Sequence, residues 1–315
     1  MNPLLTRMLA CADPSQVEGL SRFFKTGPGQ YGEGDKFLGI KVPVTRAVVK
    51  ACWRELLPAD GHAARPKNDH AARPGDAQTI FPELEECIRS EYHEVRLAAL
   101  LTLVEIFHYA KKAAEKTGML QKQCIDFYLA HTAYINNWDL VDLSCYPLLG
   151  EWLLDKDRTL LYDLARNGKT LWEQRIGIVS TMTFIRHGQL EDTFALADIL
   201  LHHPHDLIHK AVGWLLREAG KRDKAALEAY LKGAPAEAVG WLLREAGKRD
   251  KAALEAYLKG APAEAVGAAE DGALAEAGAA VRQPATSRYR NMPRTMLRYA
   301  IERFPEAERQ AYLAK

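Results

Sequence analysis

The residues best suited to chemistry in this chain lie in Asn136-Asn137-Trp138-Asp139-Leu140-Val141-Asp142. Read as the start of a helix running into SCYPLLGEWLL, the segment places Trp138 and Asp142 four residues apart. That spacing is about 40° of rotation and one turn of rise, so the two side chains stand one above the other. Val141, Cys145, Leu148, Leu149 and Trp152 form the predicted buried stripe, with Trp138 at its edge and Asp142 just beyond. An aromatic wall with a carboxylate one turn away suits a site that holds a cationic or electron-poor group. The plainer alternative is a core tryptophan beside a solvated aspartate.

Two further constellations carry cations. Arg175, in WEQRIGIVSTM, shares a helix side with Trp172, Val179 and Met182. A cation inside an apolar face is costly unless it is paired or meets an anion, so the sequence leaves a buried ion pair (to Asp142 or Asp139) and a phosphate clamp both open. Lys210, Trp214, Arg217 and Lys221 follow i, i+4, i+7, i+11 spacing, a basic stripe with an aromatic set into it. Arg290, Arg294 and Arg298 make a second basic row. Two such rows would suit a sugar-phosphate backbone, and a solvated charged face is the alternative for either alone.

Other motifs carry less. TGPGQYGEGDKFLGIKVPVTR is Gly-rich and holds Lys36, Lys41 and Arg46, but no GK[ST] follows its glycines. It is expected to be a loop leading into a helix at Pro43, with its cations available to phosphates. His202, His203, His205 and His209 lack an HExxH pattern and flank Pro204, so a helix-initiating turn is expected and no metal site. There is no GxSxG.

The elements that must position these residues are helices. From 79 to 232 nearly every segment is an amphipathic helix with short turns between, among them PELEECIRS, EVRLAALLTLVEIFHYAKKA, LQKQCIDFYLAHTAYI, TLLYDLARNG and TLWEQRIGIVSTMTFIRHG. Asp13, Pro14 and Ser15 open an earlier one. The expected fold is all-α, a curved α-solenoid of HEAT-like antiparallel helix pairs.

Two stretches fall outside that pattern. Residues 58–78 are rich in Ala, Pro and Asp, contain HAARP twice, and are expected to form a disordered loop insertion. Residues 211–237 recur without change at 238–264, which points to a recent tandem duplication and not an old solenoid period. With the Ala/Gly-rich run that follows, 238–290 is taken as inserted material. Order is expected to return at Asn291-Met292-Pro293, with MPRTMLRYAIERF closing a single domain of residues 1–315.

Composition sets limits without choosing a partner. The chain of 315 residues is 48% hydrophobic and 26% charged with a net charge of +1, so nucleic-acid affinity must come from how charge is arranged. No apolar run is long enough for a membrane span, and the N-terminus lacks the pattern of a signal peptide. Five widely spaced cysteines without CxxC favour reduced thiols in a cytoplasmic protein.

The phrases YGEGDKFLGIKVPVTR, NNWDLVDLS, WEQRIGIVSTMTFI, DLIHKAVGWLLREAGKRD and MPRTMLRYAIE occur in that order. Together they resemble the AlkD family of DNA alkylation-repair glycosylases, over nearly the whole chain except 58–78 and 238–290. The resemblance implies a HEAT-like fold and a monomeric, cofactor-free enzyme. It would remove N3- and N7-alkylated purines from double-stranded DNA without drawing the base into a pocket. It also implies that Trp138, Asp142, Arg175 and Trp214 line a DNA-facing cleft, with Asp142, Trp138 and Trp214 at the reacting nucleotide. Arg175, Lys210, Arg217, Lys41, Arg46, Arg294 and Arg298 would then meet the DNA. The competing expectation is a non-catalytic HEAT-repeat module that binds DNA or protein, since repeat folds serve binding more often than catalysis. The duplication departs from the family pattern and supplies a second candidate, Trp241. Glu237 stands before Trp241 where Lys210 stands before Trp214, so Trp214 is the expected functional copy.

Overall fold

The computed structural model describes residues 2–56, 77–112, 118–233 and 288–314. Among these residues the regular structure is helical, and the only β feature is an isolated bridge between Lys36 and Tyr92. The expected all-α class is observed. No helix among the described residues is long and apolar enough to cross a membrane. The chain divides into two compact units, Met1–Trp152 and Leu153–Lys315.

The first unit is organised around one long helix. Its elements are α1 (Pro3–Ala10), α2 (Pro14–Phe23), α3 (Val42–Leu56), α4 (Ala77–Ile88), α5 (His93–Lys112), α6 (Met119–Ala130), a 3-10 turn (Thr132–Tyr134) and α7 (Trp138–Asp142). Asn2 caps α1 by accepting from the amides of Leu4 and Leu5, and Asp13 caps α2 by accepting from that of Ser15. Helix α5 is apolar on nearly every side, as its run VRLAALLTLVEIF requires, and it is buried between α1, α3, α4 and α6. After α7 the chain continues into a π-turn, Tyr146–Gly150. Pro147 lies in it and has no N–H to offer a regular helical ladder. Trp152, expected in the buried stripe, is only half-buried, whereas Val141, Cys145, Leu148 and Leu149 are fully inside.

One expected boundary shifts in this unit. Helix α4 begins at Ala77 and carries Pro82 inside it, so Ala77 and Gln78 belong to the helix and not to the 58–78 insertion. Ile80 lies ahead of the proline and is fully buried, which supplies the apolar contact that extends the helix backwards. The remainder of that insertion, both HAARP repeats included, lies outside the described residues.

The second unit contains α8 (Thr159–Asn167), α9 (Leu171–Val179), α10 (Met182–Arg186), α11 (Glu191–Ile199), α12 (Asp206–Arg222), α13 (Lys224–Leu231), α14 (Arg288–Asn291), α15 (Arg294–Ala300) and α16 (Glu306–Leu313). The helix expected over TLWEQRIGIVSTMTFIRHG is interrupted between α9 and α10. There Ser180 Oγ donates to the Ile176 carbonyl and Thr181 Oγ1 to that of Ile178, each at 2.7 Å. Such bonds compete with the helical ladder, which explains the break. Helix α12 is the centre of this unit and packs on α9, α10, α11, α13 and α15. Its approach to α15 is close because position 213 is glycine. A Cβ there would lie 2.5 Å from the Met296 carbonyl oxygen and 2.6 Å from Tyr299 Cβ.

The first copy of the repeat therefore supplies α12 from Ala211 onward and all of α13. The second copy, with Trp241, lies outside the described residues, as does Glu237. Helical structure is present again from Arg288, three residues ahead of the expected restart at Asn291. The expected closing helix ends at Ala300, and a further helix, α16, follows Pro305.

Candidate nucleic-acid interface

The residues of Asn136–Asp142 serve a buried polar network and a cleft. Asn136 and Asp139 bond into the network, and Trp138, Asp139 and Asp142 line a cleft of about 400 Å³, with the buried Asp139 and His93 belonging to both. In the network, Arg96 Nη2 donates to Asp35 Oδ1 at 2.6 Å and to Asn136 Oδ1 at 3.1 Å. Asn136 Nδ2 donates to the same Asp35 oxygen at 2.9 Å. The His93 ring bridges two carboxylates, with Nδ1 3.2 Å from Asp35 and Nε2 2.9 Å from Asp139. Two carboxylates, one guanidinium and a doubly bonded imidazolium sum to zero charge. Burial alone would pull His93 toward the neutral form. The bonds to Asp139 and Asp35 outweigh it and lift the pKa from 6.5 to about 9. Burial would likewise raise Asp35, but its bonds to His93, Arg96 and Asn136 leave it below the usual aspartate range.

Aromatic rings carry this order to the cleft. Phe24 and Phe37 each lie 4.8 Å from the His93 ring, so the imidazolium sits against two π faces. Phe24 in turn stacks on Trp138 at 5.5 Å and 27°, and Phe23 meets Trp138 edge-on at 5.9 Å. Phe23 is 60% exposed, the largest exposure among the big apolar side chains described. The apolar wall is completed by Leu20, Ile40, Val42, Pro43, Leu97 and Leu143, and its polar residues are Lys41, His93, Glu94, Asp139 and Asp142. The Gly-rich loop that leads to Lys41 does cradle an anion, but one of the protein's own. The amides of Leu38, Gly39 and Ile40 donate to the Glu94 carboxylate at 2.9, 2.9 and 3.0 Å, which fixes the loop to α5.

Asp142 and Asp139 are thereby distinguished. Asp139 is 4% exposed, with Oδ2 on His93 and Oδ1 accepting from the Leu140 amide at 2.9 Å. Asp142 is half-buried at the cleft. Helix α7 holds Trp138 and Asp142 on one side across its single turn, as their spacing predicted.

In the second unit Arg175 is 5% exposed, and its Nη1 donates to the Leu207 carbonyl at 2.5 Å, tying α9 to the first turn of α12. The histidine group does form a helix-initiating turn. His205 caps α12 by accepting from the Leu207 amide, His203 accepts from the His205 amide, and His209 Nε2 donates to the His203 carbonyl. Trp214 is half-buried and lines a second cleft, of about 500 Å³, with Met182, Ile185, Arg186, Glu218, Lys221 and Arg222.

The expected basic stripe on α12 is interleaved with carboxylates. Lys210 pairs with Asp206 at 2.9 Å, Arg217 with Glu302 and Glu218, and Lys221 with Glu218 at 2.7 Å. In the second row, Arg294 donates to the Leu313 carbonyl, Arg290 reaches the hydroxyl of Tyr289, and Arg298 is exposed. Lys41 and Arg46 are exposed in the first unit, while Lys36 is bonded to Glu91.

Sequence reasoning missed Asp35, His93, Glu94 and Arg96 in the first unit and Arg186 and Arg222 in the second. A signal for the first set existed. His93, Glu94 and Arg96 are polar residues in the opening turn of a helix with no polar face, so they had to be buried and satisfied.

Residues 4–237 and 235–304 match a family model described as DNA alkylation repair enzyme, and the junction of the two matches falls where the two repeat copies meet. No curated protein matches the chain. Among solved structures, the chain is similar to a predicted DNA alkylation repair enzyme from Enterococcus faecalis. Identity is 18% and the TM-score 0.50, covering 76% of this chain and 98% of that one. At that identity the likeness speaks for the fold.

Proposed function

The chain belongs to the DNA alkylation repair enzyme family, and from that premise we propose that it is a DNA glycosylase. In this reading it hydrolyses the N-glycosidic bond of N3- and N7-alkylated purines in duplex DNA. The observation that carries the proposal is the arrangement at α7. Trp138 and Asp142 line one cleft with mostly apolar walls, and Asp139, which also lines it, is held by the buried His93.

The chemistry suits such a site. An N3- or N7-alkylated purine is cationic, so it leaves as a neutral base with the electrons of the glycosidic bond and needs no general acid. Positive charge then builds on the deoxyribose, as in the oxocarbenium-like transition states of glycoside hydrolysis. Asp142 is assigned to stabilise that charge and to orient the water, whose oxygen bonds to C1′ as one of its protons passes to solvent. A preorganised carboxylate in a cleft with mostly apolar walls is worth several kcal/mol in that role. The face of Trp138 favours the same cationic sugar. In the second unit, Trp214 is assigned to stack on DNA, and Arg175, which ties α9 to α12, to a phosphate. Lys41, Arg46 and Arg298, all exposed, are assigned to the more distant backbone along with Lys210, Arg217 and Arg294.

The deciding experiment is release of 7-methylguanine and 3-methyladenine from methylated duplex DNA. Release by the wild type that Asp142→Asn removes supports the assignment. A purified, folded wild type that binds the duplex and releases neither base leaves only a DNA-binding module.

A further inference from the structure

The cleft beside Trp214 takes positive charge from two helices, whereas the stripe the sequence singled out lies on one. Helix α10 contributes Arg186 at its last residue, with Met182 and Ile185 as apolar wall. Helix α12 contributes Trp214, Glu218, Lys221 and Arg222, which at i, i+4, i+7 and i+8 lie along one face. Gly188, in the left-handed conformation at φ +77°, turns the chain after α10. The guanidinium of Arg222 lies over that turn, with Nη2 3.7 Å from where a Cβ of residue 188 would stand. The turn therefore brings the end of α10, and with it Arg186, to the same place as the last turn of α12.

Counting charges decides what the cleft prefers. Arg186, Lys221 and Arg222 line it, and Glu218 is the one carboxylate among its lining residues. Glu218 is already shared between Lys221 and Arg217. The lining therefore carries an excess of two positive charges. The cleft also faces the negative end of the α12 dipole, worth about 0.3–1 kcal/mol against an anion. A single charge-assisted bond from an arginine to a phosphate is stronger than that. In the sequence-defined stripe, Lys210 pairs with Asp206 and Arg217 with Glu302.

We propose that Arg186 and Arg222, assisted by Lys221, form a phosphodiester-binding subsite. It holds the DNA backbone next to the nucleotide against which Trp214 packs. An open cleft with an aromatic wall and cations at one end matches a nucleotide, with its ring or sugar on the indole and its phosphate on the guanidinium groups. The subsite rests on the reading of Trp214 as a DNA-facing residue. It does not require that the bound DNA be cleaved.

The test is binding of an unmodified duplex, followed by fluorescence anisotropy over a series of salt concentrations. The double variant Arg186→Ala/Arg222→Ala should bind roughly tenfold to a hundredfold more weakly. Its log–log salt slope should be shallower by about 2, since each phosphate contact contributes about 0.9. Arg186→Lys/Arg222→Lys should recover most of the slope, which repair of a merely structural defect would not predict. Glu218→Gln, which removes the anion from the cleft, should tighten binding. A double alanine variant with wild-type affinity and slope overturns the proposal, and so does a wild type that does not bind duplex DNA. A wild type that binds, loses slope in the double variant and yet releases no base from methylated DNA would refute the glycosylase reading alone and leave the subsite standing.

Discussion

Protonation of His93 should make the protein's stability fall with pH in a window where few other groups titrate. The imidazole takes a proton at about 9 in the folded chain and at 6.5 when exposed. Its stabilising contribution is therefore complete below 6.5 and is lost as pH rises through 9. The full difference of 2.5 pKa units corresponds to about 3 kcal/mol, and about 2 kcal/mol of it disappears between pH 6.5 and 8.5. For a unit of this size that is roughly 4–8 °C in Tm. The window must stop there because the buried Cys87 thiol, pushed up to about 12, favours unfolding once exposed thiols ionise near 9. His108, His203 and His205, held below 6.5 by burial, act in the opposite sense as pH rises through 6.5. They do not involve His93, so the comparison with a His93→Gln variant cancels them. Thermal unfolding followed by circular dichroism at half-unit pH steps is the assay. His93→Gln should be less stable at pH 6.5 by about 3 kcal/mol or more, because Asp35 keeps Arg96 but Asp139 loses the His93 cation, and its Tm should be nearly flat to pH 8.5. A wild-type Tm that does not fall across the window, or a fall that persists in His93→Gln, would refute a charged imidazole in the core.

Three further outcomes follow from the geometry. Asp142→Asn should nearly abolish base release while leaving duplex affinity similar and the melting temperature within about a degree or two; normal activity in that variant would mean that another group stabilises the sugar. Trp214→Ala should lower base release by about an order of magnitude or more, and Trp241→Ala should change little. The reverse ranking would show the second repeat copy in possession of the site. Gly213→Ala should destabilise the protein by about 1–3 kcal/mol in chemical denaturation through its collision with α15. Unchanged stability in that variant would contradict the close seating of α12 on α15.

Periodicity exposed most of the helices because each element pairs an apolar face with short, well-marked connections, and the Trp138–Asp142 spacing survived for the same local reason. Failures occurred where a non-local contact outweighed a local signal. Pro82 reads as a helix start, but Ile80 is buried ahead of it, so α4 starts earlier. WEQRIGIVSTMTFIR reads as one helix, but Ser180 and Thr181 spend their hydroxyls on the ladder and divide it. The partner of Arg217 in the α12 stripe could not be read locally, because Glu302 lies 85 residues further along the chain. Arg186 and Arg222 carried no mark at all, since only the packing of α10 on α12 brings them together.

The buried network explains how so short an element as α7 can hold a reactive geometry. A helix of five residues has no stability of its own, because nucleation costs more than its few hydrogen bonds return. Here the residues on either side of Trp138 are fixed from outside. Asn137, fully buried, accepts from the Trp138 amide, Asn136 is bonded to Asp35 and Arg96, and Asp139 is bonded to His93. Four buried charges that cancel are no better for stability than a well-packed apolar core would be. What they add is direction, since each bond has a preferred angle and a hydrophobic contact does not. With Asn136 and Asp139 fixed by their partners, Trp138 and Asp142 are held at the cleft. A change in Asp35 or Arg96 would therefore reach Trp138 and Asp142 by releasing the turn that aims them.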